Sequence, residues 1–380
     1  MKKLKYAMIG GSKDSFIGPI HRMAIRMDDL AELVAGCFSR NTAINATTGE
    51  QLQLDPKRVY ADWKELIAAE RERIDFVVVC TTNETHYAIA KAALGAGIHV
   101  LCEKPLSLTV KEAEELGRIA KRKRLVLGIP FTYTGYPMVK LARDLVRKGE
   151  LGKIDKIVLE YVQGSFRKID FAKPLDKRNA WKMDPKVSGP SCVVADIGVH
   201  AFTLIEYVTG LEVKTLLADL SSFAPGNRLD DDASILMRLG KPAGGAGIAA
   251  KAALVTSKIA TGEENGVRLR VYGDKASLFW DQESPNYLCV RRPFAPEQIY
   301  KRNAPYVKSL SAAAQRASRF PAGHHEGFVE ALGNIYDEFV AAIRTDTVRD
   351  FPGAREGVRS MRFVEAALKS SADGNKWIKI

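Results

Sequence analysis

The sequence of 380 residues has no long apolar run. Its apolar stretches, such as Phe76 to Cys80, are far shorter than the roughly 20 residues that a helix needs to cross a bilayer. The start, MKKLKYAMIG, runs straight into a strand and a glycine turn, without the apolar stretch and cleavage site of a secretory signal. We therefore expect a cytoplasmic protein with no membrane partner.

Cysteine and histidine are also scarce. Five cysteines leave one over in any full pairing, and no CxxC motif is present. Cys37, Cys80 and Cys102 each end an apolar, strand-like run, where a reduced thiol behaves as a small hydrophobe. The six histidines are scattered, and no His/Cys cluster has ligand spacing. The sequence thus predicts free, buried or half-buried thiols and no metal site.

Acidic residues are outnumbered by basic ones, 45 to 57, which gives a net charge of +12. Such a charge is compatible with anionic partners, including small molecules that carry phosphate. The basic residues are spread along the chain, however, and the one dense block, KRKR at 121–124, ends a predicted helix whose dipole it complements. Without a helix-turn-helix, zinc-finger or aromatic RNA-binding motif, we expect no specific nucleic-acid partner.

What the chain does contain is a composition typical of globular proteins, 46% apolar and 27% charged, at a length that suits two domains. Residues 1–130 alternate short apolar runs with amphipathic segments, which predicts a Rossmann dinucleotide-binding domain with a parallel, doubly wound sheet. Its predicted strands are Tyr6–Gly10, Leu33–Ser39, Phe76–Cys80, His99–Cys102 and Leu125–Ile129. Its predicted helices are Gly18–Met27, Asp62–Ala69, Glu84–Ala96 and Thr109–Lys121.

Residues 131–380 follow a different pattern, with longer and more strictly alternating strands. They predict an α+β domain built on a large, mostly antiparallel open sheet. Its predicted strands are Ile154–Tyr161, Val213–Leu220, Ala233–Arg238, Gly247–Val255 and Val267–Tyr272. Its predicted helices are Tyr136–Lys148, Cys192–Val208, Glu326–Ile343 and Arg355–Ser370. The stretch from Pro285 to Pro321 is interpreted as a long loop. One face of such a sheet stays open unless a second copy covers it.

The segment Gly10 to Gly18 joins the first predicted strand to the first helix. Glycines there let the backbone turn sharply and approach a pyrophosphate at the helix N-terminus. The loop is longer than the plain GxGxxG spacing, and glycine-rich turns are common. Its position after the first strand of a βαβ unit is what favours dinucleotide binding.

The end of the second strand carries Ser39 and Arg40 in place of the acid that would bind a ribose 2′-hydroxyl. A serine beside an arginine suits a 2′-phosphate, which favours NADP over NAD. Alternatively, Arg40 is only the exposed first residue of the next loop. Farther along, Thr81 and Asn83 follow another strand and can bond ribose or phosphate, cap the next helix, or do both.

Lys104 lies at a strand end, where ligands of open α/β sheets bind. A buried amine is unfavourable without a purpose, so its position suggests chemistry. Pro105 makes the turn rigid, and the bond before it is a candidate for the cis form. Glu103 could pair with the lysine, or the two could be an ordinary surface pair.

Asp196 and His200 lie four residues apart on a predicted helix and therefore share one face. Histidine is the usual proton acceptor near neutral pH, and a carboxylate close by can orient or tune it. Metal binding and a purely structural histidine are the alternatives. The combination with Lys104 and a dinucleotide fold favours proton transfer at a substrate hydroxyl.

Together, the glycine turn, the Glu103-Lys104-Pro105 triplet and the Asp196-x-Gly-x-His200 element resemble the glucose–fructose oxidoreductase/inositol dehydrogenase/rhizopine catabolism (Gfo/Idh/MocA) family. The resemblance covers nearly the whole chain. It includes Tyr133-Thr-Gly-Tyr136-Pro, Gly149-Glu-Leu-Gly152, Ala180-Trp181-Lys182 and Pro321-Ala-Gly-His324-His-Glu326-Gly. The last of these and the tyrosine-rich stretch most resemble the branch with levoglucosan dehydrogenase and enzymes that oxidise glycosides at C3.

The resemblance implies an NAD(P)-dependent enzyme that oxidises a secondary alcohol of a sugar, glycoside or cyclic polyol, in a homodimer or homotetramer. Residues 131–380 would form its domain for substrate binding and oligomerisation. Lys104 would bind or polarise the hydroxyl oxygen, His200 would take its proton, and Asp196 would position the substrate or His200. Tyr133 and His324 would contact sugar hydroxyls. The dinucleotide would be contacted by Gly10, Gly11, Ser12, Phe16, Ile17, Gly18, Ser39, Arg40, Thr81, Thr82, Asn83, His86, Glu103, Lys104, Trp181 and Lys182.

A non-catalytic regulator that binds a dinucleotide or a sugar on the same fold is the alternative function. The intact triplet and the Asp-x-Gly-x-His element argue against it, because a sensor has no need of a proton acceptor.

Overall fold

The computed structural model describes residues 2–169, 173, 175, 177–242, 247–347 and 349–380. The described chain divides into two compact units. The amino-terminal unit runs to Phe131 and also includes Lys186–Ser188 and Leu332–Met361. The carboxy-terminal unit comprises Thr132–Pro185, Gly189–Ala331 and Arg362–Ile380. The division between residues 1–130 and 131–380 stays a prediction.

A five-stranded parallel sheet with strand order β2-β1-β3-β4-β5 is the centre of the amino-terminal unit. The strands are β1 (Leu4–Gly10), β2 (Ala31–Cys37), β3 (Phe76–Cys80), β4 (His99–Cys102) and β5 (Leu127–Gly128). All five residues of β3 are buried, as expected of a central strand covered on both faces. The strand order reverses between β1 and β3. Ligands of open α/β sheets bind at the carboxyl ends of the strands next to such a reversal.

Five helices alternate with these strands: α1 (Ile17–Met27), α2 (Thr42–Gln51), α3 (Trp63–Glu70), α4 (Asn83–Gly95) and α5 (Val110–Lys123). Local side chains set where several of them begin. The Asp62 side chain accepts a hydrogen bond from the Lys64 amide, and Thr109 and Glu112 form a capping box. The predicted parallel doubly wound sheet is confirmed. α2 was not predicted, because its sequence TAINATTGEQ has no clear apolar face.

The carboxy-terminal unit contains a nine-stranded sheet with strand order β13-β12-β11-β10-β6-β9-β8-β7-β14. The strands are β6 (Ile154–Val162), β7 (Glu212–Ser221), β8 (Asp232–Gly240), β9 (Ala250–Ser257), β10 (Gly266–Gly273), β11 (Ser277–Asp281), β12 (Tyr287–Arg291), β13 (Gln298–Lys301) and β14 (Ile378–Lys379). Within this sheet, only the β6–β9 pair is parallel among the pairings of its described strands. The prediction of a large, mostly antiparallel sheet is thus confirmed.

The remaining helices are α6 (Pro137–Arg147), α7 (Lys177–Met183), α8 (Pro185–Ser188), α9 (Val199–Thr209), α10 (Val307–Leu310), α11 (Ala312–Arg316), α12 (Phe328–Thr345) and α13 (Ala354–Ala372). A π-helical turn, Val194–Gly198, leads directly into α9. In this unit, α6 and α9 pack on one face of the sheet. The indole of Trp280 lies 5.3 Å from the Tyr136 ring in that layer, measured between centroids.

Two predictions about the second half of the chain are wrong. The segment Pro285 to Pro321 is not a long loop, since it contains β12, β13, α10 and α11. β13 escapes detection because three of its four residues are exposed, so backbone pairing to β12 places it rather than apolar alternation. The predicted continuous helix Cys192–Val208 is also interrupted, because its first turn is a π-helix.

Candidate functional site

Two glycines, the last residue of β1 and the one after it, make the turn that the sequence predicted. Gly10 and Gly11 have φ values of 78° and 68°, a left-handed region that glycine adopts without strain. A Cβ on Gly10 would lie 2.4 Å from the Cys80 carbonyl oxygen, and one on Gly18 would lie 2.4 Å from the Gly11 Cα. The turn and the start of α1 therefore touch backbone to backbone. This close packing fits a pyrophosphate held against main-chain amides.

Ser12, Phe16 and Ile17 surround the N-terminus of α1. The Ser15 amide donates to the Ser12 carbonyl oxygen over 3.0 Å, which closes the extra loop residues into a turn. Phe16 is exposed, Ile17 is the first residue of the helix, and the amide of Gly18 donates to the Ser15 hydroxyl. The helix N-terminus supplies backbone donors and a favourable dipole for an anion.

Ser39 and Arg40 lie just beyond β2, which ends two residues earlier than predicted. The Asn41 amide donates to the Ser39 hydroxyl over 3.1 Å, and the Asn41 side chain caps α2. The Arg40 side chain is exposed. Serine and arginine thus form the turn that leads into α2.

The segment after β3 contributes Thr81, Thr82, Asn83 and His86. Thr82 is the N-cap of α4, yet no side-chain capping bond forms there, and its hydroxyl donates to Glu84. Thr81 accepts from the Thr85 hydroxyl, and the Asn83 amide group donates to the Ser188 carbonyl oxygen. His86 is fully buried, with its ring nitrogens 2.8 Å and 3.0 Å from the carbonyl oxygens of Pro105 and Thr81. Burial lowers the pKa of His86. This histidine ties the turn after β3 to the turn after β4.

The turn after β4 holds Glu103, Lys104 and Pro105, and the bond before the proline is cis, as the sequence suggested. Glu103 accepts a hydrogen bond from the Lys104 backbone amide over 3.1 Å. Its other oxygen faces Nε2 of His21 at 2.8 Å, and Nδ1 of His21 lies 2.6 Å from the Tyr336 hydroxyl. The Lys104 side chain is half-buried. The glutamate thus links α1 to the backbone of the predicted catalytic lysine.

His21 is charged in this setting. Burial acts to lower its pKa, but contact with Cys80 and Glu103 outweighs that effect and raises the pKa to about 10. Both ring nitrogens then carry protons, one donated to Glu103 and the other to Tyr336. His21 was not among the predicted residues. The available signal was a lone histidine on the helix that follows the glycine turn.

Asp196 lies on the π-helical turn, and His200 lies on the first turn of α9. Single π-helical turns inside helices occur often at functional sites. The buried carboxylate of Asp230 fixes the start of this segment, because it accepts the amides of Cys192 and Val194 at 2.8 Å and 2.9 Å and the Ser191 hydroxyl at 2.9 Å. Asp230 was not among the predicted residues.

Two lysines contact Asp196. The Lys258 ammonium lies 2.5 Å from the carboxylate oxygen Oδ2, and the Lys182 ammonium lies 3.6 Å from the same oxygen. Lys182 was predicted to contact the dinucleotide, together with Trp181, whose ring it overlies at 5.8 Å. Lys258 was not predicted, since it follows β9, 62 residues from Asp196, and no local motif marks it.

Aromatic side chains surround His200. The Tyr133 and Tyr161 rings meet the imidazole edge-on, at centroid distances of 5.2 Å and 6.4 Å. Their hydroxyls lie 2.6 Å apart, and the Asn265 amide donates to Tyr133 over 3.1 Å. Burial raises the pKa of both tyrosines, which keeps them neutral. Tyr133 is thus already bonded within the protein.

His324 is exposed on the loop that precedes α12. A buried ion pair anchors this loop: the Arg302 guanidinium donates to Glu326 over 2.7 Å and also to the His324 carbonyl oxygen. Glu326 in turn accepts the backbone amides of Arg319 and Phe320. The loop that carries His324 is therefore held by charges at its base.

Several of the predicted residues lie close together within one unit or the other. The carboxyl ends of β1, β3 and β4 bring the glycine turn, Thr81 and Glu103 to one edge, where the Gly11 amide donates to Cys80 and the Glu103 amide donates to Val79. Lys104 belongs to that unit, whereas Asp196 and His200 belong to the carboxy-terminal one.

Other predicted features concern thiols, metals and membranes. All five cysteines are free, and Cys37, Cys80 and Cys102 are buried, which confirms that prediction. Across the described ranges, no group of three or more His, Cys, Asp or Glu side chains is arranged to hold a metal ion. The described helices include none with the length and apolar character needed to cross a membrane.

Comparison with protein families gives matches along nearly the entire chain. Residues 4–131 match the NAD-binding Rossmann-fold domain of the GFO_IDH_MocA oxidoreductase family. Residues 143–380 match the C-terminal alpha/beta domain of the same family.

Individual proteins match over the full length as well. The uncharacterized oxidoreductase YfiI of Bacillus subtilis (strain 168) is 33% identical, over 100% of this chain and 97% of its own. Levoglucosan dehydrogenase of Pseudarthrobacter phenanthrenivorans is 26% identical, over 100% and 99%. Among solved structures, an inositol dehydrogenase homolog of Azotobacter vinelandii in complex with NAD+ superposes with a TM-score of 0.92, at 34% identity over 100% and 98%. The same homolog has also been solved with NADH and myo-inositol.

Proposed function

The chain belongs to the Gfo/Idh/MocA family of oxidoreductases, and on that premise we propose that it oxidises a secondary alcohol of a sugar, glycoside or cyclic polyol. A nicotinamide dinucleotide, when bound, supplies the hydride acceptor, so the alcohol carbon loses a hydride and its oxygen loses a proton. Levoglucosan dehydrogenase among the relatives, and the homolog solved with myo-inositol, support this substrate class.

The observation that carries the proposal is the setting of His200. It lies on the first turn of α9, directly after the π-helical turn whose start Asp230 holds, four residues from Asp196 and beside two neutral tyrosines. A buried imidazole in such a setting can accept a proton from a hydroxyl without loss of orientation. We assign that role to His200.

Lys104 binds or polarises the hydroxyl oxygen in this proposal, and Asp196 positions the substrate or His200. The Lys104 side chain is half-buried, and the Lys104 backbone amide donates a hydrogen bond to the Glu103 carboxylate. This bond holds the backbone of the lysine in place. A fixed cation beside the oxygen stabilises negative charge that develops as the proton leaves. His324 and Tyr133 are assigned to sugar contacts, and Trp181 and Lys182 to the dinucleotide or the sugar.

The amino-terminal unit carries an NAD-binding Rossmann fold, and we propose a preference for NADP. The exposed Arg40 and the Ser39 hydroxyl, in the turn after β2, are the groups that would hold a 2′-phosphate. An Arg40→Ala variant should lose roughly 10- to 100-fold in kcat/KM with NADP and stay within about twofold with NAD. A wild-type protein that reduces NAD faster than NADP would refute this preference.

The test of the main proposal follows the near-ultraviolet absorbance of reduced nicotinamide. Purified protein is incubated with NAD or NADP and with myo-inositol, levoglucosan, glucose or simple glucosides. Reduction with at least one sugar is expected. Lys104→Met and His200→Ala should each lower kcat/KM at least about 100-fold. Lys91→Met is the matched control, because that lysine makes an exposed ion pair with Glu115 on α5.

If the dinucleotide binds but no sugar causes reduction, a non-catalytic regulator replaces the enzyme in this proposal. Unchanged turnover in the Lys104 and His200 variants would instead leave the enzyme and remove the assigned roles.

For partners, we propose self-association into a homodimer or homotetramer through one face of the nine-stranded sheet. Strand register places a row of mostly apolar residues side by side across seven strands of that face. This row, called the sheet-face stripe, consists of Leu236, Ala253, Val158, Arg270, Phe279, Cys289 and Ile299. Leu236 is 49% exposed, and extended exposed apolar surface marks interfaces. A cytoplasmic location stays a prediction.

A further inference from the structure

We propose that Lys258 is a positioning residue for the reaction: it holds Asp196 as an oriented carboxylate beside His200. This inference rests on the proposed function, since it concerns the same proton-transfer residues. It assigns to Asp196 the role of a fixed charge, and it leaves His200 as the group that takes the proton.

The backbone of Lys258 is fixed on both sides. Its amide donates to the Asp231 carbonyl oxygen over 2.8 Å, and its carbonyl oxygen accepts the Phe166 amide over 2.9 Å. The Phe166 ring also lies under the ammonium, 5.1 Å from centroid to nitrogen. The side chain is 3% exposed, and its ammonium lies against Oδ2 of Asp196. The lysine is thus built into the core of its unit.

A buried ammonium is unfavourable unless an anion compensates it. Burial lowers the pKa of Lys258, but Asp196 outweighs that effect, with Cys192 and Asp230 acting in the same direction, and the pKa rises to about 12. The lysine is therefore charged over the whole working range of pH. Protonation of Asp196 would leave that buried charge without its partner, so the pair favours the carboxylate.

Lys182 provides the matched comparison, because it approaches the same oxygen from a different setting. Its side chain is 34% exposed, and its ammonium is 3.6 Å away rather than 2.5 Å. Solvent screens an exposed charge and competes for it, so its effect on Asp196 is smaller. Removal of Lys258 should disturb Asp196 much more than removal of Lys182.

The experiment compares Lys258→Met, Lys258→Arg and Lys182→Met with the wild type. For each, kcat/KM is measured from pH 5 to pH 9 with the most active sugar of the panel. In Lys258→Met, the acid limb of the profile should move up by about one pH unit, and kcat should fall about tenfold or more. Lys258→Arg should restore most of the acid limb. Lys182→Met should leave the acid limb in place, whatever its effect on dinucleotide affinity, and the dinucleotide dissociation constant should stay within about twofold in the two Lys258 variants.

A second measurement keeps the inference separate from the proposed function and from failure to fold. The carboxyl carbon of Asp196 is followed by carbon-13 NMR in the wild type, Lys182→Met and a neutral Lys258 variant (Lys258→Met, or Lys258→Gln where the methionine variant does not fold), with Asp196→Asn used for assignment. The midpoint of its titration should be higher in the Lys258 variant than in the other two. Equal midpoints, or a larger shift in Lys182→Met, would overturn the role of Lys258, whether or not any sugar is oxidised. A higher midpoint without turnover would retain the role and reject the proposed activity.

Discussion

At the scale of single residues, three buried ion pairs fix the positions of groups in the predicted site. His21, Lys258 and Arg302 are each buried, and each lies against a carboxylate: Glu103, Asp196 and Glu326. A buried ion pair is rarely a net source of stability, although breaking one is strongly unfavourable. We infer that these pairs place neighbouring groups. The first reaches the Lys104 backbone, the second the Asp196 carboxylate, and the third the His324 loop.

The charge of His21 makes the stability of the protein depend on pH. Its pKa of about 10 in the folded state exceeds the ordinary value of 6.5, so the folded state keeps a proton that the unfolded chain has lost. Stability from this site is complete below pH 6.5 and decreases as pH rises towards 10, by up to about 1.4 kcal/mol per unit. The stability advantage of wild type over His21→Gln should therefore shrink from pH 7 to pH 9 in urea unfolding.

His325→Gln is the control for this prediction, because that histidine is exposed and is not part of the His21 cluster. Its difference from wild type should not change over the same range. A His21→Gln difference that is constant with pH would mean that His21 is neutral in the folded protein.

At the scale of elements, the glycine turn requires a residue without a side chain at Gly18, because backbone atoms of the turn lie too close for a Cβ. An added methyl at Gly18 would lie 2.4 Å from the Gly11 Cα and 2.5 Å from its carbonyl oxygen, so backbone must shift. Gly18→Ala should therefore weaken dinucleotide binding roughly tenfold or more, measured by titration calorimetry. Gly95→Ala is the control, since a Cβ there meets no atom within 4 Å. Equal affinity in the two variants would contradict the backbone-contact argument.

The loop before α12 depends on the buried Arg302–Glu326 pair, in which both side chains are 2% exposed. Arg302→Met would leave the Glu326 carboxylate buried without its cation, which should lower the free energy of unfolding by about 3–5 kcal/mol. The measurement is chemical denaturation. Arg291→Met should change stability little, because its partner Glu297 and the arginine itself are exposed to solvent. Similar effects of the two variants would show that the buried pair does not anchor the loop.

Element prediction succeeded where one physical signal was strong. β3 and β4 are short, wholly or mostly apolar runs, and both were found at their observed bounds. Prediction failed for β13 and for the π-helical turn for the opposite reason. β13 has three exposed residues, and the π-helical turn at Asp196 differs from an α-helix only in backbone hydrogen bonding. Neither produces a pattern in side-chain type.

At the scale of the whole molecule, the sheet-face stripe predicts the assembly state. Leu236→Lys introduces a charge at an exposed apolar position and should shift the mass measured by light scattering towards the single-chain 41.8 kDa. Met23→Lys is the control, since it is an equally exposed apolar residue on α1. A wild-type mass of one chain, or full assembly of the Leu236 variant, would reject this face as the interface.

The sequence by itself determined the fold class and the family, and it predicted Gly10, Lys104, Asp196 and His200 as site residues, because these depend on local spacing and residue type. Only the tertiary structure decided which groups support them. Lys258 and Asp196 are 62 residues apart, and His21 and Glu103 are 82 residues apart. Such pairs form where strands and helices distant in the chain pack together, and burial then sets their charge. That environment is a property of packing, which no local pattern of residues encodes.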